Sequence, residues 1–213
     1  MAFYHDIIKE IKEKRVTDFI KFQIDDKKVS LQIIDSSDET AELCLKWRNK
    51  YWQGYDTKFK GSIQKTKKWI IEQILNNPER IAFMILINGD KIGHFGITDY
   101  TEADNSVWFE NGIRGVRKSL PGLMEVVERE LIKWLFDEVK ISKIKLRLFS
   151  NNVKPINLHE RCGFLTVDTI PIKRIFTDEG WRWEKMELKS DDEFGERYYN
   201  IMELTKENWD MKK

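Results

Sequence analysis

A basic segment with two glycines leads into the clearest helical pattern of the sequence. It reads Arg114-Gly115-Val116-Arg117-Lys118-Ser119-Leu120-Pro121-Gly122. A loop that leads into a helix N-terminus presents unpaired backbone N–H groups and the positive end of the helix dipole. The arginines and the lysine add charge, so the segment predicts a site for a pyrophosphate. An ordinary basic loop before a capped helix has the same pattern, and that alternative stays open.

A second motif follows a strictly alternating strand pattern at 143–149. Residues 152–164 read Asn-Val-Lys-Pro-Ile-Asn-Leu-His-Glu-Arg-Cys-Gly-Phe. They resemble the pattern Asn-x-x-Ala-x-x-Leu-Tyr-Glu-x-x-Gly-Phe, which GNAT N-acetyltransferases carry after their fifth strand. The matching positions are Asn152, Leu158, Glu160, Gly163 and Phe164.

A third motif, Trp47-Arg48-Asn49, lies at the end of the first core helix. It resembles the Trp-Arg-Asn of the GNAT branch that includes ribosomal-protein N-terminal acetylases and amino-sugar acetylases. The resemblance covers about residues 29–188. It implies an α+β GNAT fold, in which a mixed, mostly antiparallel sheet of about seven strands is flanked by helices and its fourth and fifth strands splay apart.

The resemblance also implies acetyl-CoA as the acetyl donor. Its pyrophosphate would bind the loop before the long helix, and its pantetheine arm would pair with residues 107–112. The loop departs from the family pattern because Leu120 replaces the first glycine, although Pro121-Gly122 can form a different turn. The expected cofactor contacts are Phe109, Asn111, Ile113, Arg114, Gly115, Arg117, Lys118, Gly122, Leu123, Met124 and Asn152.

The implied chemistry is direct attack of a neutral amine on the thioester, which needs one proton removed and another supplied. His159 occupies the position of the family tyrosine, and an imidazole donates a proton near neutral pH. We therefore expect His159 to act as general acid, with Asn152 orienting CoA or the acid. A structural histidine is the alternative. Glu110 and His94 are the candidate bases, and each is also explained as an ordinary strand residue.

The acceptor side of the cleft, by the same resemblance, is bordered by Arg48, Asn49, Tyr51 and Trp52. The Leu-His-Glu sequence resembles the branch that modifies surface-polysaccharide sugars. A nucleotide-linked amino sugar is therefore the first expected acceptor. A protein N-terminus, such as that of a ribosomal protein, is the second, and an antibiotic amine is the third. The contrasting class is a non-catalytic acetyl-CoA-binding module.

Hydrophobic periodicity places these motifs on a series of elements. Turn and capping signals, such as Asn88-Gly89 and Gly163, bound many of them. The predicted helices span 6–20, about 38–50, 62–76, 121–138 and 151–163. The predicted strands span 19–23, 29–34, 80–87, 91–99, 106–113, 143–149, 164–176 and 181–188. The tail after residue 190 has no clear pattern.

The composition indicates one globular domain over residues 1–213, with extensions on both sides of the 29–188 core. The 37 basic and 36 acidic residues nearly balance, which disfavours nucleic acid as a partner. Three histidines on separate elements predict no metal, and two isolated cysteines predict a reducing cytoplasm. No apolar run is long enough for a membrane span. We expect a monomer or homodimer.

Overall fold

The computed structural model describes residues 4–14, 19–116, 120–187 and 194–211. Within these ranges, ten strands form one sheet, with helices on both of its faces. The helices are α1 (Tyr4–Glu13), α2 (Asp38–Lys50), α3 (Ile63–Trp69), α4 (Leu123–Trp134), α5 (Val153–Cys162) and α6 (Lys206–Asp210). The strands are β1 (Ile20–Ile24), β2 (Lys27–Ile33), β3 (Thr57–Phe59), β4 (Ile81–Ile87), β5 (Asp90–Thr101), β6 (Ser106–Arg114), β7 (Lys143–Phe149), β8 (Leu165–Thr177), β9 (Gly180–Lys185) and β10 (Arg197–Thr205).

The strands lie in the order β1-β2-β4-β5-β6-β7-β10-β8-β9-β3. Every neighbouring pair is antiparallel except β6 and β7, which are parallel. Parallel neighbours need a crossover connection, and α4 provides it. The sheet is therefore mixed and mostly antiparallel, as expected.

Two helical layers bury the two faces of the sheet. Leu123, Val127 and Leu131 recur on one side of α4, and this side packs with α1 over the main core. The opposite face of the sheet is covered by α2 and by α3 with the helical turn that follows it, and Trp47 of α2 and Ile70 of that turn are buried there. The helical periodicity of its apolar residues thus determines which side of α4 packs on the sheet, and α4 carries the chain from β6 to β7.

Local signals place the ends of α2 and α5 close to the predicted positions, whereas α1 ends at Glu13 and not near residue 20 as predicted. Ser37 caps α2 by accepting a hydrogen bond from the N–H of Thr40 at 3.2 Å. Gly163 ends α5 with a φ of 104°, a left-handed conformation that favours glycine. The helices α3 and α4 each continue as a π-helical turn, Ile70–Leu75 and Leu135–Val139.

The sheet has ten strands, more than the roughly seven that the resemblance implies: the eight strands predicted from periodicity are present, and β3 and β10 were not predicted. The β10 strand comes from the acidic and aromatic tail and inserts between β7 and β8. The predicted hairpin of β8 and β9 is present, but β8 is joined to β7 through β10. None of the described helices is long and apolar enough to cross a membrane.

Candidate active site

A cleft opens where β6 and β7 separate. The two strands pair only from Ser106 to Phe109 on β6, opposite Lys143 to Leu146 on β7. Beyond Phe109, the remaining residues of β6 have no pairing with β7 in this register. From Glu110 to Arg114, β6 pairs with β5 but not with β7, so the edge of β6 on the β7 side suits an extended ligand.

A β-bulge in β6 marks the same point. Asn111 has a left-handed φ of 51°, and the β5 register shifts between His94 and Gly96. The extra residue reverses the alternation of side chains along the strand. Phe109 consequently packs in the main core, whereas Ile113 packs against α2 and α3 on the opposite face. The predicted group of Phe109, Asn111 and Ile113 does not share one face, so an extended ligand would meet their backbone groups.

The loop before α4 forms a type II turn at the helix N-terminus. Leu123 N–H donates to the Leu120 carbonyl at 3.4 Å, and Gly122 occupies the third position of the turn with φ 72° and ψ −6°. This is the alternative turn that Pro121-Gly122 suggested. The helix begins at Leu123, two residues after the predicted start, which places the amides of Leu123 and Met124 in its first turn.

Gly115 does not donate to a ligand through its own amide, because that N–H bonds to the Ile92 carbonyl at 2.8 Å. A Cβ at Gly115 would lie 2.0 Å from the Trp47 ring, so the glycine allows α2 to approach β6 closely. Arg114 precedes it at the end of β6. The predicted contacts Arg117 and Lys118 lie outside the described residues.

His159 projects from α5 to a buried carboxylate on α4. Its Nδ1 lies 2.9 Å from Oε1 of Glu128, which is fully buried. The ring also meets Phe164 edge-on, with centroids 5.8 Å apart, and Phe164 lies 6.0 Å from the ring of Phe109. These rings lead from His159 to the last paired residue of β6.

Asn152 lies at the N-terminal end of α5, directly beyond β7. Its backbone N–H bonds to the Phe149 carbonyl at 2.9 Å, and its carbonyl accepts from Ile156 at 3.2 Å. Its side chain makes no capping hydrogen bond to the helix. The amide group is therefore not committed to the helix end.

A cavity of about 230 Å³ lies on the α2 and α3 side of the sheet. Its lining includes three predicted site residues, Arg48, His94 and Asn111. Two further cations, Lys65 and Arg80, also line it, and sequence analysis missed both. The other lining residues are Cys44, Leu45, Tyr55, Thr57, Phe59, Thr66 and Trp69.

Arg48 is held rigidly in this cavity. Its guanidinium carbon lies 4.2 Å from the Tyr55 ring centroid and 4.6 Å from that of Phe59. One of its terminal nitrogens donates to both the carbonyl and the hydroxyl of Thr57, at 3.1 and 2.8 Å. Stacking and hydrogen bonds of this kind are specific to the planar guanidinium.

The other predicted acceptor contacts lie outside the cavity lining. Asn49 is exposed on α2, and Tyr51 packs against the core cluster below α2. Trp52 contacts Trp181 of β9 and the Lys58 ammonium. The structure therefore gathers Arg48 with residues of α3 and β3 and with Arg80, which lies directly before β4.

Glu110 lies on β6 beside the bulge and faces Arg80, with Oε1 3.9 Å from Arg80 Nε. Burial raises the pKa of the Glu110 carboxyl, while the charge of Arg80 opposes this shift and that of Asp99 adds to it. A carboxylate with a raised pKa is suited to accept a proton at neutral pH.

His94 lies on β5, opposite Ile113 of β6, and is almost entirely buried. Burial lowers its pKa to about 4, despite a hydrogen bond with the backbone of Asn111. The imidazole is therefore neutral at physiological pH. It lines the cavity as an uncharged wall beside Trp47, whose ring centroid is 6.0 Å away.

The cleft fits the acetyl-CoA that the sequence motifs imply. The edge of β6 that separates from β7 suits an extended pantetheine arm, and the first turn of α4 suits a pyrophosphate. A Cβ built on Gly122 meets none of the described residues within 4 Å, so they leave space for a ligand beside the helix N-terminus. The residues that would hold acetyl-CoA are those of β6 from Glu110 to Arg114 and the turn that ends at Leu123.

Comparison with solved structures shows the same fold in known acetyltransferases. A spermidine N-acetyltransferase from Vibrio cholerae, in complex with CoA and spermine, aligns with a TM-score of 0.65 and 14% identity over 85% of this chain and 97% of its own. A probable GNAT-family acetyltransferase from Chromobacterium violaceum aligns with a TM-score of 0.65 and 13% identity over 89% of this chain and 93% of its own. FdhC, a nucleotide-linked sugar GNAT, aligns with a TM-score of 0.59 and 17% identity over 86% of this chain and 89% of its own.

Sequence comparison identifies the family. No curated protein sequence matches the chain. The model of the acetyltransferase (GNAT) domain matches residues 28–165, which is well over half of the chain. The splayed β6 and β7, the turn before α4 and the α5 motif all lie within these residues. The chain belongs to the GNAT acetyltransferase family and is an acyltransferase that uses acetyl-CoA.

Proposed function

We propose that the enzyme acetylates a primary amine on a small anionic acceptor, most specifically a nucleotide-linked amino sugar. The observation that carries this proposal is the charge of the cavity beside the cleft. Arg48, Lys65 and Arg80 line it, and none of its lining residues is a carboxylate. Cations that converge on one cavity favour a ligand with phosphate groups.

The same charges disfavour a polyamine acceptor. The spermidine N-acetyltransferase shares the fold, but a polycationic substrate needs carboxylates near its remaining amines. Here Glu110 faces Arg80, and Glu179 pairs with Lys65 at the surface, with 3.1 Å between the charged atoms. The lining itself remains cationic, so spermidine would meet like charge.

The aromatic lining also agrees with a nucleotide-linked acceptor. Trp69 of α3 borders the cavity with Tyr55 and Phe59. Aromatic faces support stacking of a base or of the apolar face of a sugar. The cavity volume of about 230 Å³ suits part of such a ligand, with the remainder extending to the surface.

In the mechanism that we propose, protons move through two residues on opposite sides of the cleft. When bound, acetyl-CoA supplies the thioester whose acetyl group passes to the amine. Glu110 removes a proton from the amine, and His159 donates a proton to the departing sulfur. Asn152 orients the donor through its side-chain amide. Arg48, Lys65 and Arg80 hold the anionic part of the acceptor, which leaves the amine to face Glu110.

A mass-spectrometric transfer screen tests the acceptor class. The purified enzyme is incubated with acetyl-CoA and separate panels of UDP- and TDP-linked amino sugars, aminoglycosides, peptides with free N-termini, and spermidine. We expect the mass of one acetyl group to be added to a nucleotide sugar. Acetylation of spermidine or of peptides alone would contradict the proposal, as would acetyl-CoA binding without transfer to any panel.

Lys65→Met tests the cationic cavity directly. We expect it to raise the KM of the anionic acceptor by about 10-fold, since one charged contact contributes about 1.5 kcal/mol or more, without changing acetyl-CoA affinity. Lys68→Met is the matched control, because Lys68 is exposed on the same helix and does not line the cavity. Equal KM values for the two variants would mean that Lys65 does not contribute to acceptor binding.

A further inference from the structure

Glu128 is an acidic residue within the buried side of α4. Its side chain has no solvent exposure, and its neighbours on the helix include Val127, Leu131 and Ile132, which are also fully buried. Its Oε1 meets His159 Nδ1 at 2.9 Å, whereas its Oε2 has no hydrogen-bond partner among the described residues. Burying an ionised carboxylate is costly unless it is paired. The bond to His159 is therefore the interaction that accounts for a glutamate at this position.

The contact with Glu128 determines which ring nitrogen of His159 carries the proton. A carboxylate can only accept hydrogen bonds, so the ring proton at this contact lies on Nδ1. Nε2 is then the nitrogen that remains for proton exchange with another group. The edge-on contact with Phe164 restrains the plane of the ring, because it packs the imidazole against the end of α5.

The other charged side chains near Glu128 and His159 pair with one another on the surface of α4 and α5. Glu125 bonds to Arg161 at 2.7 Å and to Arg129 at 3.2 Å, and these contacts join α4 to α5 above the buried pair. The Cys162 thiol lies beside Glu128, and burial together with that carboxylate raises the pKa of the thiol. The thiol therefore stays protonated and does not compete with His159 as a charged partner.

We propose that Glu128 is a positioning residue for the transfer step, acting through His159. This inference rests on the proposed role of His159 as general acid. Glu128 holds Nδ1–H, directs Nε2 to the reaction, and stabilises the positive charge of the ring while Nε2 carries a proton. A carboxylate that orients and charges a catalytic imidazole in this way raises its ability to transfer protons.

The step balances as follows. Glu110 takes one proton from the amine, whose nitrogen forms a bond to the acetyl carbon as the carbon–sulfur bond breaks. The electron pair of that bond stays on sulfur, and His159 Nε2–H gives it a proton. His159 becomes neutral while Glu128 keeps its charge and its hydrogen bond. Solvent returns a proton to His159 and removes one from Glu110.

The first test reads the ring directly and needs no turnover. Nitrogen-15 NMR of the imidazoles in the free enzyme distinguishes the Nδ1–H from the Nε2–H tautomer, and His159→Gln assigns the His159 signals among the three histidines. We expect neutral His159 to carry Nδ1–H in the wild type and to shift toward Nε2–H in Glu128→Leu, which has no acceptor oxygen. An Nε2–H tautomer in the wild type would overturn the proposal.

The second test separates positioning from a structural role. Glu128→Gln keeps the size and an acceptor oxygen but removes the charge. We expect kcat to fall by about 10-fold or more with acceptor KM and acetyl-CoA affinity nearly unchanged, and we expect no further loss when it is added to His159→Gln. An additive loss in the double variant would show that Glu128 does not act through His159.

The two proposals fail in different ways. If the wild type transfers acetyl to any amine, the kinetic test applies whatever the acceptor is. Transfer by the wild type with unchanged kcat in Glu128→Gln contradicts only the role of Glu128. Absence of transfer by the wild type contradicts the proposed function, while the NMR test still reports on the pairing of His159 with Glu128.

Discussion

Glu110 and His94 lie on adjacent strands, and burial disfavours the charged form of both. The result differs because one is an acid and the other a base. Burial raises the pKa of Glu110, which makes its carboxylate a stronger proton acceptor. Burial lowers the pKa of His94 to about 4, which makes its imidazole a weaker one. Of the two candidate bases predicted from sequence, Glu110 is therefore the better suited to deprotonate an amine.

Glu110→Gln tests this assignment through the pH profile. In the wild type, we expect kcat/KM to rise with pH as Glu110 ionises, because the carboxylate is the active form and its pKa is raised. The variant should lose that limb and about 10²-fold in kcat. Glu102→Gln, at an exposed position between β5 and β6, should behave as the wild type. An unchanged acidic limb in Glu110→Gln would assign it to another group.

The key residues differ in how visible they are in the sequence. His159 is predictable because it replaces a tyrosine within a recognisable motif. Glu128 carries a weaker signal, since it lies four residues from both Met124 and Ile132 on the apolar side of α4. Lys65 and Arg80 carry none, because only the tertiary arrangement of α3 and of the residue before β4 brings them to the cavity beside Arg48.

At the scale of elements, strong periodicity predicts correctly where the fold is regular. The helix α4 and the strands β4 to β7 follow their sequence patterns closely. The features that the sequence did not predict were missed for physical reasons. The β3 strand has three residues, too few for a pattern. The β10 strand buries side chains on both of its faces, Tyr199 in one core cluster and Met202 and Leu204 in another, so its sequence shows no simple alternation of apolar and polar residues. The bulge at Asn111 likewise leaves no pattern in the sequence of β6.

The short β3 strand gives the cavity one wall, and Gly180 allows it to pair with β9. A Cβ at this glycine would lie 1.9 Å from the Lys58 carbonyl oxygen. We expect Gly180→Ala to push β3 from β9, lowering the free energy of unfolding by about 1–3 kcal/mol and raising the acceptor KM. Acetyl-CoA affinity should persist, because β6 and α4 are distant from this contact in the sheet order.

Thermal melts and steady-state kinetics would check this outcome. Gly54→Ala is the control, since a Cβ there meets no described residue within 4 Å, and Gly54 lies in the connection that leads from α2 to β3. If Gly180→Ala matched Gly54→Ala in both stability and acceptor KM, the pairing of β3 with β9 would have no part in shaping the cavity.

At the scale of the whole molecule, the sheet depends on a strand outside the matched family region. The GNAT model covers residues 28–165, whereas β10 spans Arg197–Thr205 and joins β7 to β8 through hydrogen bonds on both sides. Its Met202 and Leu204 are fully buried in the same core as α4. The 194–211 region is thus part of the central structure rather than an appendage.

Met202→Ala measures that contribution. We expect it to lower the free energy of unfolding by about 2–5 kcal/mol, since it removes a fully buried side chain from a central strand. Glu207→Ala, exposed on α6, should change stability by about 0.5 kcal/mol or less. Chemical denaturation of both variants gives the comparison. A loss as small as that of Glu207→Ala would mean that β10 is not needed for a stable core.

The position of β10 also has a consequence for synthesis on the ribosome. Because β8 and β9 are made before β10, the nascent chain carries two strands, β7 and β8, whose facing edges have no partner until residues 197–205 emerge. Unpaired edges are templates for association with other chains. The central sheet can therefore close only after residues 197–205 have left the ribosome, and until then the facing edges of β7 and β8 must stay free of other chains.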